Sequence, residues 1–409
     1  MAGEDAMVVV GGGLAGGKAV EALRSEGFDG RIVLIAEEPE RPYERPPLSK
    51  DYLNGGKERD VIYVHDADWY DQHGVDLRTG VRAVALDPAA HEVELDGGER
   101  LGYRALLLAT GAAPRKLALP GADLDGVHYL RTAADSDALR TTLASGDRNV
   151  VVVGAGWIGL EVAAAARSYG NAVTVVEPQP QPLRAVLGDE IGAVFARLHR
   201  DKGVDLRLST GVREFRGDGS RVQAVVTEAG EVPADVVVVG IGVVPRTELA
   251  EAAGLEVANG VVVDASLRTS APDVYAAGDV ASWPHPRYGR RIRVEHWANA
   301  LNGGPAAAKA MLGQQVTYDR LPYFFTDQYD LGMEYSGLSG ADASVVTRGD
   351  TDSGEFIAFW LEDGRVQAAM NVNVWDVTDD LQALVRADRP ADTARLADPD
   401  VPLKDLLGG

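Results

Sequence analysis

The residues whose types and spacing carry the clearest chemistry are glycines and two acids. Gly11, Gly13 and Gly16 stand in G-x-G-x-x-G spacing, and the spacing returns at Gly154, Gly156 and Gly159. In such a turn the first glycine permits a sharp reversal, the second lets backbone approach a pyrophosphate, and the third lets the helix close on the strand. The helix N-terminus adds N–H donors and the positive end of its dipole. A carboxylate about 20 residues beyond the last glycine serves the ribose hydroxyls, and Glu37 and Glu177 occupy those places. Two complete constellations in one chain imply two bound dinucleotides, for which FAD and NAD(P)H are the natural pair.

The elements that must position these residues are legible around them. Val8-Val9-Val10 predicts a strand, Leu14 to Arg24 a helix, and Ile32 to Ile35 the strand that delivers Glu37. Val150 to Val153, Leu160 to Tyr169 and Ala172 to Val176 repeat that order and end at Glu177. Glycine is common here, with 47 residues, so the spacing alone has a plain reading as close helix packing; the flanking elements and the acids favour nucleotide binding. A carboxylate at Glu177 accepts from a ribose 2′-hydroxyl and repels a 2′-phosphate, which favours NADH over NADPH. Arg184 either softens that preference or is a solvated arginine.

A chain of 409 residues exceeds one ordinary core and predicts roughly two to four domains. The formal charge of −22 argues against nucleic acid or an anionic membrane surface as the main partner. With no cysteine, disulfides, thiolate metal sites, iron–sulfur ligation and cysteine nucleophiles are excluded, and no metal site is expected. The opening MAGEDAMVVVGGG has two acids where an export signal is positive. The longest apolar runs, such as Val236 to Val244, fall short of the roughly 18 residues of a spanning helix, so the expected location is the cytoplasm.

Beyond the fingerprints stand PYERPPLSK (Pro42 to Lys50), LLLATGAAPR (Leu106 to Arg115), HYLRT (His128 to Thr132), GWIGLEVA (from Gly156) and VYAAGDVA (Val274 to Ala281). In these pieces, over essentially its whole length, the chain resembles the FAD-dependent NADH-ferredoxin reductases of oxygenase systems, the putidaredoxin reductase type, and ERPPLSK is the most specific piece. The resemblance implies an α/β fold of glutathione-reductase-like architecture, with two Rossmann-like dinucleotide-binding domains and a smaller α+β C-terminal domain. It implies a discontinuous FAD-binding domain at 1–112 and 243–319, an NAD-binding domain at 113–242 and a C-terminal domain at 320–409. The implied activity passes hydride from NADH to FAD, then single electrons to a ferredoxin that feeds a monooxygenase or dioxygenase.

Carried over position by position, the resemblance assigns Ala15 and Glu37 to the AMP half of FAD, Arg131 to its phosphates and Asp279 to a ribityl hydroxyl. Lys50, near the flavin N5, and its ion-pair partner Glu161 are the expected catalytic residues. Trp297, in VEHWANA, lines the isoalloxazine. Gly11, Gly13, Leu14, Gly16, Arg45, Ala83, Ala109, Thr110, Gly111, Gly278, Glu295 and His296 complete the expected FAD contacts. Gly154, Gly156, Trp157, Ile158, Gly159, Glu177 and Gly242 form the expected NAD site. His296 receives no acid/base role, because hydride transfer to a flavin needs none. The plainer readings are a solvated Lys50, a turn-forming Asp279, a core Trp297 and a helix-surface Glu161.

Arg287, Arg290, Arg291 and Arg293 place four bases in seven residues after the AGD turn, a patch suited to an acidic ferredoxin-type iron–sulfur protein or a solvated loop that balances nearby acids. Related reductases tend to show W-F-W before S-D-Q-Y; this chain has Tyr323-Phe324-Phe325 before Thr326-Asp327-Gln328-Tyr329, which puts the acceptor's identity in doubt. A membrane-bound NADH:quinone reductase needs an apolar anchor, for which Val401 to Leu407 is too short and acidic. Another acceptor, or a redox-sensing protein that binds flavin and NAD, is the remaining alternative. The tail from Ala387 to Gly409 reads as loops and short helices.

Overall fold

The computed structural model describes residues 6–340 and 342–407. Residues 1–5, on which the reading against an export signal partly rests, lie outside the described residues, as do 341 and 408–409 of the C-terminal region. The chain forms two compact units.

The first unit comprises Met1–Arg45, Arg59–Ala113 and Val244–Pro322. Its parallel sheet runs Val274–Ala276, Ala105–Leu108, Met7–Val10, Ile32–Ala36, Val75–Thr79. Four of the five strands, all but Val75–Thr79, are buried along their whole length, as a parallel sheet covered on both faces requires. Helix Leu14–Ser25 leaves the central strand through the first glycine turn. It packs so tightly on helix Trp297–Met311 that a Cβ on Gly304 would collide with the carbonyl of Ala15.

The second unit comprises Pro46–Glu58, Pro114–Val243 and Tyr323–Gly409. It holds a parallel sheet in the order Asp205–Arg207, Ala172–Val176, Asn149–Val153, Val236–Val239, Val127–Tyr129, and an antiparallel sheet in the order Tyr323–Gln328, Leu331–Gly337, Arg365–Val372, Glu355–Glu362, Ser344–Asp350. One apolar core joins Val152, Leu160 and Phe195 of the nucleotide half to Phe324, Tyr335, Trp360 and Met370 of the antiparallel sheet. Trp157 meets Phe195 and Phe324 edge-on, Phe324 stacks on Tyr335, and Trp360 donates its indole N–H to the Leu187 carbonyl at 3.3 Å.

The chain changes unit after Ala113 and after Val243, one residue beyond the divisions read at 112 and 242. Two segments group differently from that reading. Residues 46–58 belong to the second unit, where Leu53 enters its core, and Tyr323–Gly409 shares that core. The second fingerprint helix is Trp157–Ser168, starting three residues before the expected Leu160, because the glycine turn rather than the first run of apolar residues sets its start. The tail has the expected short elements, helix Thr393–Ala397 and 3₁₀ turn Leu403–Leu407.

Candidate active site

The two glycine turns share one steric logic. Gly11 has φ +126°, and a Cβ there would overlap the Ala109 carbonyl; one on Gly16 would overlap the carbonyl of Gly11. Gly154 has φ +104° and is pressed on the Gly240 carbonyl, and Gly159 on the Gly154 carbonyl. The chain itself demands glycine at these four positions. Gly13 and Gly156 differ: their φ values of −88° and −79° suit any residue, and a Cβ on either would meet nothing within 4 Å. Packing gives no reason for glycine there, whereas a pyrophosphate lying against bare backbone does. Neither helix has a side-chain cap, so the first-turn N–H groups of Leu14 and Ala15, and of Trp157 and Ile158, are left for an anion. The donor set fits a dinucleotide in each turn.

Around the first turn, Glu37 follows strand Ile32–Ala36, and Arg246 Nη1 lies 2.6 Å from its carboxylate with Arg82 Nε at 3.8 Å. The hydrogen bond from Arg246 holds Glu37 below the usual carboxylate range despite partial burial. Sequence reasoning missed Arg246, which the Ala109-Thr110-Gly111 turn carries: its N–H donates to Gly111 and its carbonyl accepts from Thr110 Oγ1 at 2.7 Å. Ala83 is half-buried beside Arg82. Asp279 sits in the 3₁₀ turn Gly278–Val280, and a Cβ on Gly278 would stand 3.1 Å from the methyl of Ala15. Arg45 bonds Glu38 at 2.8 Å and the Tyr43 hydroxyl at 3.1 Å; burial lowers its pKa, but Tyr43, Glu38 and Asp279 raise it further. His296 precedes helix Trp297–Met311, whose first residue is the half-buried Trp297. Burial pushes the His296 imidazole down to about 4 against the pull of Asp279, which makes it neutral at pH 7.

In the second unit the structure brings Lys50 and Glu161 together. Lys50 Nζ lies 2.6 Å from Glu161 Oε1, with the two side chains 10% and 3% exposed. The loop that carries Lys50 is pinned by Ser136 Oγ on the Leu48 carbonyl at 2.8 Å, by Tyr52 on Asp137 and by Tyr169 on the Leu53 carbonyl at 2.9 Å. Ser49 and Thr326 also donate to the Glu161 carboxylate, Thr326 at 2.6 Å. With these donors Glu161 is a satisfied buried carboxylate, as a buried ion pair must be to persist, and not a surface acid of the helix. Sequence reasoning missed both hydroxyls, although each stands beside a quoted motif, Ser49 in RPPLSK and Thr326 in T-D-Q-Y. Burial raises the pKa of neighbouring Asp327, opposed by Lys50 and reinforced by Asp51 and Glu161.

Glu177 accepts from the N–H groups of Ala155 at 2.7 Å and Gln179 at 2.9 Å, which fixes its carboxylate beside the second turn. Arg184 pairs with Asp189 at 2.6 Å, both side chains exposed. Ile158 is exposed and Trp157 half-buried. Gly242 has φ +93° and accepts from Arg115 N–H. Arg131 lies in the second unit, where its N–H donates to Asp135 at 3.1 Å.

The arginine patch is thinner than the sequence suggests. Arg290 and Arg291 are exposed, although Arg291 Nη1 donates to the carbonyls of Val263 and Ser282. The Arg293 side chain is only 9% exposed and bonds Glu295, the Asp279 carbonyl and Asn259. Those partners take Arg293 out of the docking set. Among the described residues no group of three or more His, Asp or Glu could hold a metal, and no helix is long and apolar enough to cross a membrane.

Two glycine turns built for dinucleotides, each on a parallel sheet, define a two-nucleotide oxidoreductase of glutathione-reductase-like architecture. The chain belongs to the pyridine nucleotide-disulphide oxidoreductase family, whose model matches residues 5–304, with a Reductase C-terminal match at 323–407. FAD and NADH are the cofactors of this membership. The chain is similar to the ferredoxin--NAD(+) reductase component of an anthranilate 1,2-dioxygenase system from Burkholderia cepacia, at 44% identity over 98% of this chain and 99% of that one. It is similar to rhodocoxin reductase of Rhodococcus erythropolis, at 41% identity over 97% and 93%. Its fold matches one chain of the crystal structure of the covalent putidaredoxin reductase–putidaredoxin complex, with a TM-score of 0.95 and 35% identity over 99% of this chain and 99% of that one.

Proposed function

We propose that this protein is a cytoplasmic ferredoxin reductase of an oxygenase system, in which NADH supplies two electrons that leave singly to two molecules of oxidised ferredoxin, with release of NAD⁺ and one proton. The observation that carries the reading is the pair of turns in which Gly13 and Gly156 have no internal reason to be glycine, on a chain similar end to end to ferredoxin reductases. The absence of cysteine turns it away from disulfide substrates. When bound, FAD supplies hydride acceptance and single-electron release. The protein's part is positioning: Gly13, Ala15, Glu37, Arg45, Asp279 and Trp297 hold FAD, and Gly156 and Glu177 hold NADH. Glu161 fixes the Lys50 ammonium, the cation we assign to hydride transfer. Arg290 and Arg291, with Arg287, form the basic surface offered to an acidic ferredoxin.

Anaerobic rapid mixing of the purified protein with NADH and with NADPH, followed by oxidised ferredoxins, tests this. Fast loss of flavin absorbance with NADH and rapid recovery on adding a ferredoxin is the expected result. A protein without flavin, or one whose reduced flavin recovers only with quinones, refutes the proposal.

A further inference from the structure

A run of buried polar side chains in the second unit ends on Glu161. Thr326 Oγ1 lies 2.6 Å from Glu161 Oε1, Gln328 Nε2 3.3 Å from Thr326 Oγ1, His199 Nε2 2.8 Å from Gln328 Oε1, and Tyr329 Oη 3.3 Å from His199 Nδ1. Thr326, Gln328 and His199 are fully buried. Chemistry fixes the direction of every bond. A carboxylate only accepts, so Thr326 donates its hydroxyl hydrogen to Glu161 and its oxygen receives the Gln328 amide hydrogen. The Gln328 oxygen then receives Nε2–H of His199, and the bare Nδ1 accepts from Tyr329. This pattern needs a neutral imidazole, and burial does lower the His199 pKa.

Four donors thus point one way along a relay whose last member, Thr326, meets Oε1, the same oxygen that holds Lys50. They come from helix Arg184–Asp201, from strand Tyr323–Gln328 and from the residue after it. Three polar side chains in an apolar core are expensive unless fully paired. Here their pairing leads to a carboxylate that the fold could have left to Lys50 and Ser49 alone.

We propose that Thr326, backed by Gln328 and His199, is a positioning residue for hydride transfer: it locks the Glu161 carboxylate, and through Glu161 it sets where the Lys50 ammonium stands. The inference rests on the role given to Lys50 in the proposed function. Loss of a link frees the carboxylate to rotate and lets Lys50 shift, and misplacement of about 1 Å costs up to about 100-fold in rate.

The test uses the flavin-loaded protein. In Thr326→Val the rate constant for flavin reduction by NADH is expected to fall about tenfold with the NADH Kd within about twofold of the parent, and Thr326→Ser is expected to restore the rate. A second reading needs no turnover: acylation of Lys50 by an N-hydroxysuccinimide acetate in the resting protein, measured by peptide mass spectrometry against exposed Lys404. It should rise about fivefold in Thr326→Val as the ion pair loosens. Gln328→Met, which cuts the run one link further back, should move both readings the same way by less. If the folded Val and Met variants keep parental reduction and parental Lys50 labelling, the proposal is overturned; if Thr326→Val does not fold, Gln328→Met decides alone by the same readings. Failure of the parent to be reduced by NADH would instead overturn the proposed function, and the labelling result would stand apart from it.

Discussion

The glycine turns permit a prediction in which neighbouring positions in one motif respond in opposite ways. Gly156→Ala adds a methyl that meets nothing within 4 Å, at φ −79°, so stability should move by no more than about 0.5 kcal/mol. The same methyl occupies the approach of a pyrophosphate. Forcing an extra carbon into a filled site costs about 1–3 kcal/mol, which corresponds to a loss in NAD⁺ affinity on the order of 10- to 100-fold. Gly159→Ala puts its methyl onto the Gly154 carbonyl and 3.3 Å from a Val152 methyl, in a strand–helix contact with no room to yield. Overpacking of that kind should cost about 3 kcal/mol or more of stability. Calorimetric titration with NAD⁺ and thermal unfolding of the two variants read the outcome directly. The expected pattern is a folded Gly156→Ala that binds poorly and a destabilised Gly159→Ala. If Gly156→Ala binds NAD⁺ as tightly as the parent, or unfolds as readily as Gly159→Ala, the reasoning that separates fold glycines from ligand glycines is wrong.

Glu177→Ala removes the carboxylate that repels a 2′-phosphate, and the ratio of NADPH to NADH reduction rates should rise by about tenfold or more, measured by rapid mixing. His296 has a folded pKa of about 4, below the free value of about 6.5. The unfolded chain takes up that proton first, so this group leaves stability unchanged above about 6.5 and lowers it as pH falls toward 4; His296→Gln should flatten that part of a plot of unfolding temperature against pH. Arg290→Glu should slow electron delivery to an acidic ferredoxin about tenfold at low ionic strength and much less at high salt. In the same series Arg293→Ala should lower the unfolding temperature, since its guanidinium bonds Glu295, Asn259 and the Asp279 carbonyl.

Local patterns made the nucleotide turns readable. Strand Ala172–Val176 appears as its composition indicates, and helix Leu14–Ser25 departs by one residue at its end, because β-branched runs and a glycine-marked turn act within a few residues of themselves. The surroundings of Glu161 were only half legible. Lys50 came through the resemblance, but Ser49 and Thr326 act across 112 and 165 residues of chain, a separation that no periodicity records. Within the Arg287 to Arg293 cluster the burial of Arg293 was hidden for the opposite reason: charge density along the chain says nothing about which guanidinium finds partners beneath it. The grouping of residues 46–58 and 323–409 with the second nucleotide half was hidden as well, since the sequence assigns Leu53 to the FAD-binding domain and Phe324 and Trp360 to a C-terminal domain of their own.

That last core also bears on how such a protein changes its electron acceptor over evolutionary time. Because Phe324 and Tyr335 stack beneath Trp157, and Trp360 bonds the Leu187 carbonyl, the C-terminal sheet is no detachable cassette. Grafting that sheet from a relative would strip the fingerprint helix of its floor, so recombination at residue 323 should yield chimeras that lose their grip on NADH before any new partner is tried. Change in this sheet is therefore channelled into substitutions on its exposed face, one at a time, while the packed face stays tied to the fingerprint helix.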